Sequence, residues 1–292
     1  MNEKRAHCSS CTENILQFWQ DRWTLAAKPC AFDMAKVEMF NSVAEYYELR
    51  LTATDGAALR ARYICPVKGE TVPTVLMFHD YGRGIRGWHH MTRYAALGFA
   101  VLALENRMLR FDVTSGWENG PEGLLAATLF TDALTLARTA LRLPRTDPKR
   151  LVAWGEGFGG GLAIAAAAMA SCGKCAVLNP MPADFRAVWR ADGHEGVYGG
   201  IRAYFRDRDP LHRDEEALFH VLDYVDCVNL IPLVQGELLL GTGLLDTVSP
   251  PESQHTLYGR ASCEKRQIVY PKYGHERINF FENEQLKFLL RT

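Results

Sequence analysis

The sequence predicts an α/β protein that has a mostly parallel central sheet, an antiparallel hairpin before it and helices on both faces. Continuous apolar runs at residues 75–78 and 99–104 are typical of strands that are covered on both faces. From about residue 74 such runs alternate with helical patterns, which favours parallel strands joined by helical crossovers. An Asp-Gly pair between two stretches of alternating polarity predicts the preceding hairpin.

Two elements precede the parallel part of the chain. Apolar residues recur at near-helical spacing over residues 12–27, which predicts a helix whose tryptophan-bearing face packs against the rest of the protein. Residues 43–52 then alternate in polarity and lead into Asp55-Gly56, after which a second strand follows. This pattern is a strong signal for a hairpin over about residues 43–65.

The remaining elements alternate up to the C-terminus. Several short helical patterns fill residues 182–232 and form an excursion between two strands. The sequence has no repeat or linker-like stretch, so we expect one domain over residues 1–292. The expected strands of the parallel part cover residues 75–78, 99–104, 151–154, 175–178, 237–241 and 266–270, and the longer helices cover residues 124–143, 162–170, 250–259 and 276–290.

The composition excludes several classes of partner. The 292 residues are 48% apolar and 23% charged, and a net charge of −1 favours neither nucleic acid nor an anionic membrane as a partner. The first thirty residues have no signal-like apolar stretch, and no apolar run reaches membrane-spanning length. We therefore expect a cytoplasmic protein.

Cysteines and histidines do not predict a metal site. Of eight cysteines, four form the C-x-x-C pairs Cys8/Cys11 and Cys172/Cys175. The pairs lie about 160 residues apart in different contexts, so buried or surface thiols are favoured over a shared zinc ion. Surface or hydrogen-bonded roles are likewise favoured for the histidines around the first glycine loop, which are His79, His89 and His90. We expect no metal and no cofactor.

Residues 150–170 decide the functional interpretation. A short apolar strand, a glycine-rich turn and an alanine-rich helix follow one another there. This is the context of the nucleophile elbow, G-x-S-x-G, which presents a serine at the end of a strand. Gly155 and Gly159 stand where that motif has glycines, but the position between them, which should carry the serine, is Gly157.

An acid and a histidine follow the elbow in the order that the α/β-hydrolase fold uses. Asp246 comes just after the strand that ends near Gly241, and His275 comes just beyond the next strand. A carboxylate at the first position can orient an imidazole at the second, which is the arrangement of a general base. The sequence therefore predicts the α/β-hydrolase fold.

With these residues identified, the sequence resembles the acetyl xylan esterase and cephalosporin C deacetylase family, carbohydrate esterase family seven. The family has a G-x-S-Q-G-G-G elbow, and the chain has Gly-Glu-Gly-Phe-Gly-Gly-Gly at residues 155–161. The G-L-x-D-x-x-x-P-P acid motif matches residues 243–251, and the Y-x-x-x-x-H-E histidine motif matches residues 270–276. An aromatic glycine loop matches residues 81–84, and the similarity extends from about residue 14 to the C-terminus.

The resemblance implies a serine-esterase mechanism, in which the elbow serine attacks the ester, His275 removes its proton and Asp246 orients the imidazole. The backbone N–H groups of Tyr81 and Phe158 are implied as the oxyanion hole. Gly157 offers no attacking atom, so an oxyanion hole alone would leave a small part of the normal rate. We therefore expect a carboxylic ester hydrolase scaffold that is inactive or strongly impaired.

The resemblance also implies a ligand class and an assembly. Family members deacetylate short acetylated oligosaccharides or cephalosporin C, so the expected ligand is a small acylated sugar or another small ester, with Arg107 among the residues that bind it. In the family, the segment that corresponds to residues 108–128 is longer and helps to build a hexamer. A homo-oligomer stays open for this chain, but that hexamer is not expected unchanged.

Two other hypotheses are open at this point. The chain could be an active acetyl esterase, in which His275 activates a water in the volume left by the serine hydroxyl or another nucleophile, such as Ser249, acts. It could instead be a non-enzymatic sensor or interaction module. A dinucleotide site is disfavoured, because the glycine run meets the G-x-G-x-x-G spacing imperfectly.

Overall fold

A computed structural model describes residues 9–28, 31–193 and 195–291, and the thiols of the first C-x-x-C pair, Cys8 and Cys11, lie outside the description. The strands are β1 (Phe32–Val37), β2 (Ala44–Thr52), β3 (Ala58–Pro66), β4 (Val72–Phe78), β5 (Ala100–Glu105), β6 (Thr146–Glu156), β7 (Lys174–Leu178), β8 (Glu237–Gly243) and β9 (Lys265–Tyr270).

The helices flank this sheet, and three single 3₁₀ turns lie between them. The α-helices are α1 (Ser9–Leu25), α2 (Trp88–Ala96), α3 (Gly120–Gly123), α4 (Leu125–Ala140), α5 (Phe158–Ala170), α6 (Phe185–Arg190), α7 (Gly199–Asp207), α8 (Glu215–Leu222), α9 (Cys227–Leu230), α10 (Pro251–Arg260) and α11 (Asn279–Leu290).

The sheet has the predicted α/β-hydrolase arrangement. The described residues form nine strands in the order β1-β2-β3-β5-β4-β6-β7-β8-β9. The strands from β5 to the β9 edge pair in parallel, whereas β1, β2 and β3 pair antiparallel, as does β3 with β5. The predicted hairpin is β2 and β3, and its turn contains Gly56 at φ +84°, a conformation that glycine adopts without steric cost.

The edge strand β1 is one that the sequence analysis did not assign. Its first and last residues are half-buried and the four residues between them are exposed. Burial therefore does not alternate along β1 as it does along a strand with one buried face. The N-terminal helix was expected at residues 12–27 and covers Ser9–Leu25, so it begins three residues earlier and ends two residues earlier than expected. The excursion at residues 182–232 contains the four short helices α6 to α9.

Apolar side chains cover both faces of the sheet and explain the continuous apolar runs. Leu76 and Phe78 of β4 point into one core, which also contains apolar residues of α1, α4 and α5. Val75 and Met77 of the same strand point into the other core, which is covered by α2 and α11. Among the described residues, no helix is both long enough and apolar enough to cross a membrane.

The fold brings four loops to one edge of the sheet. The carboxyl ends of parallel strands lie at the same edge, and ligand sites of open α/β sheets form there. β4, β6, β8 and β9 lead at that edge into Asp80, Gly157, Asp246 and His275 respectively. α5 is buried for most of its length and starts directly after Gly157, so the elbow is held between the sheet and a core helix.

Replacement of Trp19 by alanine should destabilise the protein strongly. The Trp19 side chain is completely buried, packs against Phe18 and Phe130, and donates an Nε1–H hydrogen bond of 2.8 Å to the carbonyl of Tyr224. Loss of a buried aromatic side chain of this kind costs about 3–5 kcal/mol. Urea unfolding of Trp19→Ala should show this decrease in the free energy of unfolding. The control Gln20→Ala, at an exposed position of α1, should change it little, and an equal effect of both variants would contradict the packing of α1.

Candidate active site

Asp246 and His275, predicted as acid and base, are in contact. His275 Nδ1 lies 2.8 Å from Asp246 Oδ2. The other carboxylate oxygen, Asp246 Oδ1, accepts backbone N–H bonds from Val248 at 2.8 Å and Ser249 at 2.7 Å. Because Asp246 is buried and its carboxylate is fixed by these bonds, it holds the imidazole in one orientation.

Asp80, which the sequence analysis did not single out, fills the place of a side chain at residue 157. A Cβ atom added to Gly157 would collide with Oδ1 and Cγ of Asp80. Gly157 also has φ +50° and ψ −123°, a conformation that residues with a side chain rarely adopt. A side chain at residue 157 therefore fits only if the Asp80 side chain moves, and the volume left by the absent serine is occupied by a carboxylate.

The same carboxylate occupies the N–H groups of the expected oxyanion hole. Asp80 Oδ1 accepts hydrogen bonds from the backbone N–H of Tyr81 at 2.7 Å and of Phe158 at 3.1 Å. Phe158 is the first residue of α5, so the oxygen also lies at the positive end of that helix. The two N–H groups therefore converge on one point, and a negatively charged oxygen of the protein stands there.

The second oxygen of Asp80 faces the imidazole. Asp80 Oδ2 lies 3.2 Å from His275 Nε2 and 3.6 Å from Arg83 Nε. Burial lowers the pKa of His275, but the hydrogen bonds to Asp246 and Asp80 outweigh burial and raise the pKa to about 9. At neutral pH His275 is therefore an imidazolium that donates from both ring nitrogens, and it has no free lone pair with which to accept a proton.

The cavity at this point is small. It is lined by Asp80, Arg83, Gly157 and His275 together with residues from the ends of β6 and β7, and it has a volume of about 10 Å³. This is room for roughly one water molecule. An acetyl group of a substrate enters only if Asp80 leaves its position.

Ion pairs behind the cavity fix the elbow and its neighbouring loop. Glu156, which precedes Gly157, is bound by the guanidinium groups of Arg86 and Arg277. Arg86 also binds Glu282 of α11 at 2.5 Å. Arg86, Glu156 and Glu282 are buried, and they connect the β4 loop, the β6 elbow and the C-terminal helix. These ion pairs were not predicted from the sequence, because their partners are far apart along the chain.

The remaining candidate residues lie in other surroundings. Arg107, expected to bind substrate, is bound by Asp132 of α4 at Nε–Oδ2 2.7 Å and by Asp55 of the hairpin turn at Nη1–Oδ2 2.6 Å. It does not line the cavity at His275. Ser249 is completely buried and its Oγ donates to the carbonyl of Pro180 at 2.8 Å, so it faces away from any attacking position.

The histidines near the first glycine loop contact neighbouring groups of the protein, and Cys172 and Cys175 are buried free thiols. His79 is buried and its Nε2 accepts the backbone N–H of Asn106 at 3.1 Å, and burial lowers its pKa. The rings of His89 and His90 contact each other with centroids 4.4 Å apart. Over residues 9–28, 31–193 and 195–291, no three His, Cys, Asp or Glu side chains are arranged to hold a metal ion.

The chain is similar to proteins of a known family. The family model for acetyl xylan esterase matches residues 5–292. Acetyl xylan esterase 1 from Thermoanaerobacterium sp. has a similar structure, with a TM-score of 0.90, 29% sequence identity and coverage of 95% of this chain and 93% of that one.

Two further solved structures share the fold. An acetyl xylan esterase from Paenibacillus sp. R4 has a TM-score of 0.87 at 22% identity, over 97% of this chain and 98% of that chain. A cold-adapted esterase from an Arctic intertidal metagenomic library has a TM-score of 0.61 at 16% identity, over 89% of this chain and 97% of that chain.

The imidazole of His275 should titrate well above the ordinary histidine value. Its folded-state pKa is raised to about 9, so its contribution to stability is complete below the unfolded value near 6.5 and is lost as pH rises through about 9. An NMR titration should therefore show the His275 ring deprotonating near pH 9. Asp80→Asn should lower this midpoint because one of the two carboxylate partners is lost, whereas Asp147→Asn on the distant surface should not. A wild-type midpoint near 6.5 would contradict the two-carboxylate arrangement.

Proposed function

We propose that this chain, which belongs to the acetyl xylan esterase family, does not release acetate by the serine mechanism and has an active site closed by its own Asp80. The observation that carries the proposal is the position of the Asp80 carboxylate. One oxygen accepts the Tyr81 and Phe158 N–H groups, and the other faces His275. The chain retains the scaffold, acid and base of an ester hydrolase but holds them in a different bonding arrangement.

Three requirements of ester cleavage are each unmet in this arrangement. Residue 157 supplies no nucleophilic oxygen, and no side chain fits there while Asp80 is in place. The oxyanion of a tetrahedral intermediate would find its N–H donors occupied. His275, as an imidazolium at neutral pH, cannot accept the proton of an attacking group.

The closed cavity also bears on the alternatives. A His275-activated water would need an unprotonated imidazole and free N–H donors for the oxyanion that it forms, and Asp80 removes both. An acylated sugar could be bound at this point only after displacement of Asp80, so the geometry favours loss of acetyl ester turnover over a role as an acyl-sugar binding site. The cytoplasmic location and a homo-oligomeric assembly stay predictions from the sequence.

Restoration of esterase activity should require two substitutions rather than one. Gly157→Ser alone should stay inactive toward p-nitrophenyl acetate, because its side chain meets the Asp80 carboxylate. Asp80→Gly combined with Gly157→Ser frees the volume and both N–H donors, and it removes one carboxylate that keeps His275 protonated. We expect acetate release by this double variant at roughly 10³-fold or more above the wild-type rate.

The controls separate the repaired site from background hydrolysis. Asp80→Gly alone should remain near the wild-type rate, and His275→Ala in the double-variant background should abolish the gain. Turnover of p-nitrophenyl acetate by the wild-type protein at the rate of the repaired variant would overturn the proposed function.

A further inference from the structure

The amino-end edge of the sheet, where β4, β5, β6 and β7 begin, also carries the turn between β1 and β2. Ala44 at the start of β2 pairs with Pro66 at the end of β3, and β3 runs antiparallel to β5. The turn therefore lies at the opposite end of the strands from Asp80 and His275. Exposed apolar side chains collect at this edge, and they are Met39, Phe40, Val43, Val67, Leu97 and Leu290.

The β1–β2 turn, residues 38–43, holds the Phe40 ring out in solvent. The residue is 93% exposed, and its backbone has φ +48°, a left-handed conformation that is uncommon for a bulky side chain. Glu38 Oε1 accepts the Phe40 N–H at 3.2 Å, and Asn41 Oδ1 accepts the N–H groups of Val43 at 2.8 Å and Ala44 at 3.3 Å. Because these bonds fix the turn before a partner binds, little ordering is needed on association.

An apolar groove lies farther along the same edge, between the beginnings of β4, β6 and β7 and the ends of α2 and α11. Its volume is about 430 Å³, which is ample for an aromatic ring. Phe99, Leu151 and Leu289 line it and are buried, whereas Leu97 and Leu290, which also line it, are exposed. The groove thus offers apolar surface that a protruding side chain can cover.

The groove and the β1–β2 turn differ in charge. Four basic residues line the groove, namely Lys149, Arg150, Lys174 and Arg291, and of these Arg150 is paired with Asp147. No Asp or Glu of the described part of the chain is among the lining residues. Within the turn Glu38 is the single charged residue, and Lys36 just before it is paired with Glu45. An acidic turn and a basic groove attract each other and orient an encounter between two molecules.

We propose that this edge binds a second copy of the chain, with Phe40 of each copy inserted into the groove of the other. The ring does not fill its own groove, since it is 93% exposed. The turn and the groove lie on one edge, so a two-fold axis between them joins both pairs at once and closes the assembly as a dimer. Aromatic side chains that enter apolar pockets are the usual anchors of interfaces, and each buries about 150–250 Å².

The concave shape of the groove favours a second copy over a membrane. Exposed apolar side chains and nearby cations also suit the surface of an anionic bilayer. A bilayer would accept Phe40, but it presents no protruding group to the groove, whereas a second copy presents its own Phe40. The proposal goes beyond the loss of acetyl ester turnover, and it gives a surface to the homo-oligomer that the sequence left open.

Analytical ultracentrifugation of the full-length protein tests the proposal. Over a concentration series that reaches about 100 µM, where a micromolar Kd gives mostly dimer, the wild-type protein should sediment as a dimer at the upper end. Phe40→Ala should raise the Kd for dimerisation at least roughly tenfold, because each dimer loses two anchors. Leu290→Asp, which places a carboxylate in the groove, should also weaken the dimer.

The matched control is Phe280→Ala. Phe280 is 64% exposed, but it lies in the first turn of α11, which follows the His275 loop at the other end of the strands. Its replacement removes the same exposed ring and should leave the Kd unchanged. Phe40, Phe280 and Leu290 are all exposed, and unchanged melting temperatures of the three variants will confirm that the fold is retained.

A mixture of the two weakened variants identifies the contact itself. Phe40→Ala keeps an intact groove and Leu290→Asp keeps an intact Phe40, so a mixed dimer has one complete contact and each pure dimer has none. The two variants should therefore associate with each other more tightly than either does with itself.

Three results would each overturn the proposal. The first is a wild-type protein that stays monomeric over the whole concentration series. The second is an oligomer of any size that persists unchanged in Phe40→Ala and Leu290→Asp. The third is a wild-type monomer that binds phosphatidylserine vesicles through Phe40, which would assign this edge to a membrane. Acetate release is measured at the opposite edge of the sheet, so neither its presence nor its absence decides the question of the dimer.

Discussion

The Asp80 carboxylate fills the small volume that a side chain at residue 157 would need, between two loops at one edge of the sheet. A carboxylate fits there because residue 157 has no Cβ, and a Cβ is excluded there because the carboxylate is present. The two positions are therefore interdependent, although they lie in loops after different strands. In this elbow, glycine at the position of a nucleophile accompanies an anionic group in the facing loop.

Electrostatics makes this arrangement stable. Asp80 meets two backbone N–H groups at the positive end of α5, the imidazolium of His275 and the guanidinium of Arg83. His275 in turn donates to a carboxylate on each side. In a serine esterase the imidazole must cycle between neutral and charged forms, so a second carboxylate that holds its proton works against the reaction. The same charge stabilises the folded site and, under the proposed function, opposes acetyl ester chemistry.

Sequence order was enough to predict the fold and the pairing of Asp246 with His275, because parallel strands deliver their carboxyl-end loops to a common edge. The family resemblance implied the N–H groups of Tyr81 and Phe158 as the oxyanion hole, and these two groups converge on one oxygen, Asp80 Oδ1. The role of Asp80 was not predicted, since a missing serine indicates a lost atom and says nothing about what fills its place. The useful signal was the His-Asp-Tyr run at residues 79–81, where an acidic residue directly precedes an N–H group assigned to anion binding.

The surroundings of Arg107 and the strand β1 could also not be predicted from the sequence. Arg107 was expected near the substrate, but the hairpin turn brings Asp55 over it and α4 supplies Asp132, and neither approach is visible along the sequence. β1 was not assigned because an exposed edge strand buries too little apolar surface to produce a period of two. The pattern of apolar residues indicates which side chains are buried, whereas ion pairs between distant loops depend on the final geometry.

The most direct measurement of the central claim is the NMR chemical shift of the Tyr81 and Phe158 backbone amide protons in the wild-type protein and in an Asp80→Ala variant. If the carboxylate accepts both bonds, the two resonances lie downfield as charge-assisted hydrogen bonds require, and both move upfield together when the carboxylate is removed. Two amide resonances that stay unchanged in the variant would contradict the account, because Asp80 would then not occupy the N–H pair.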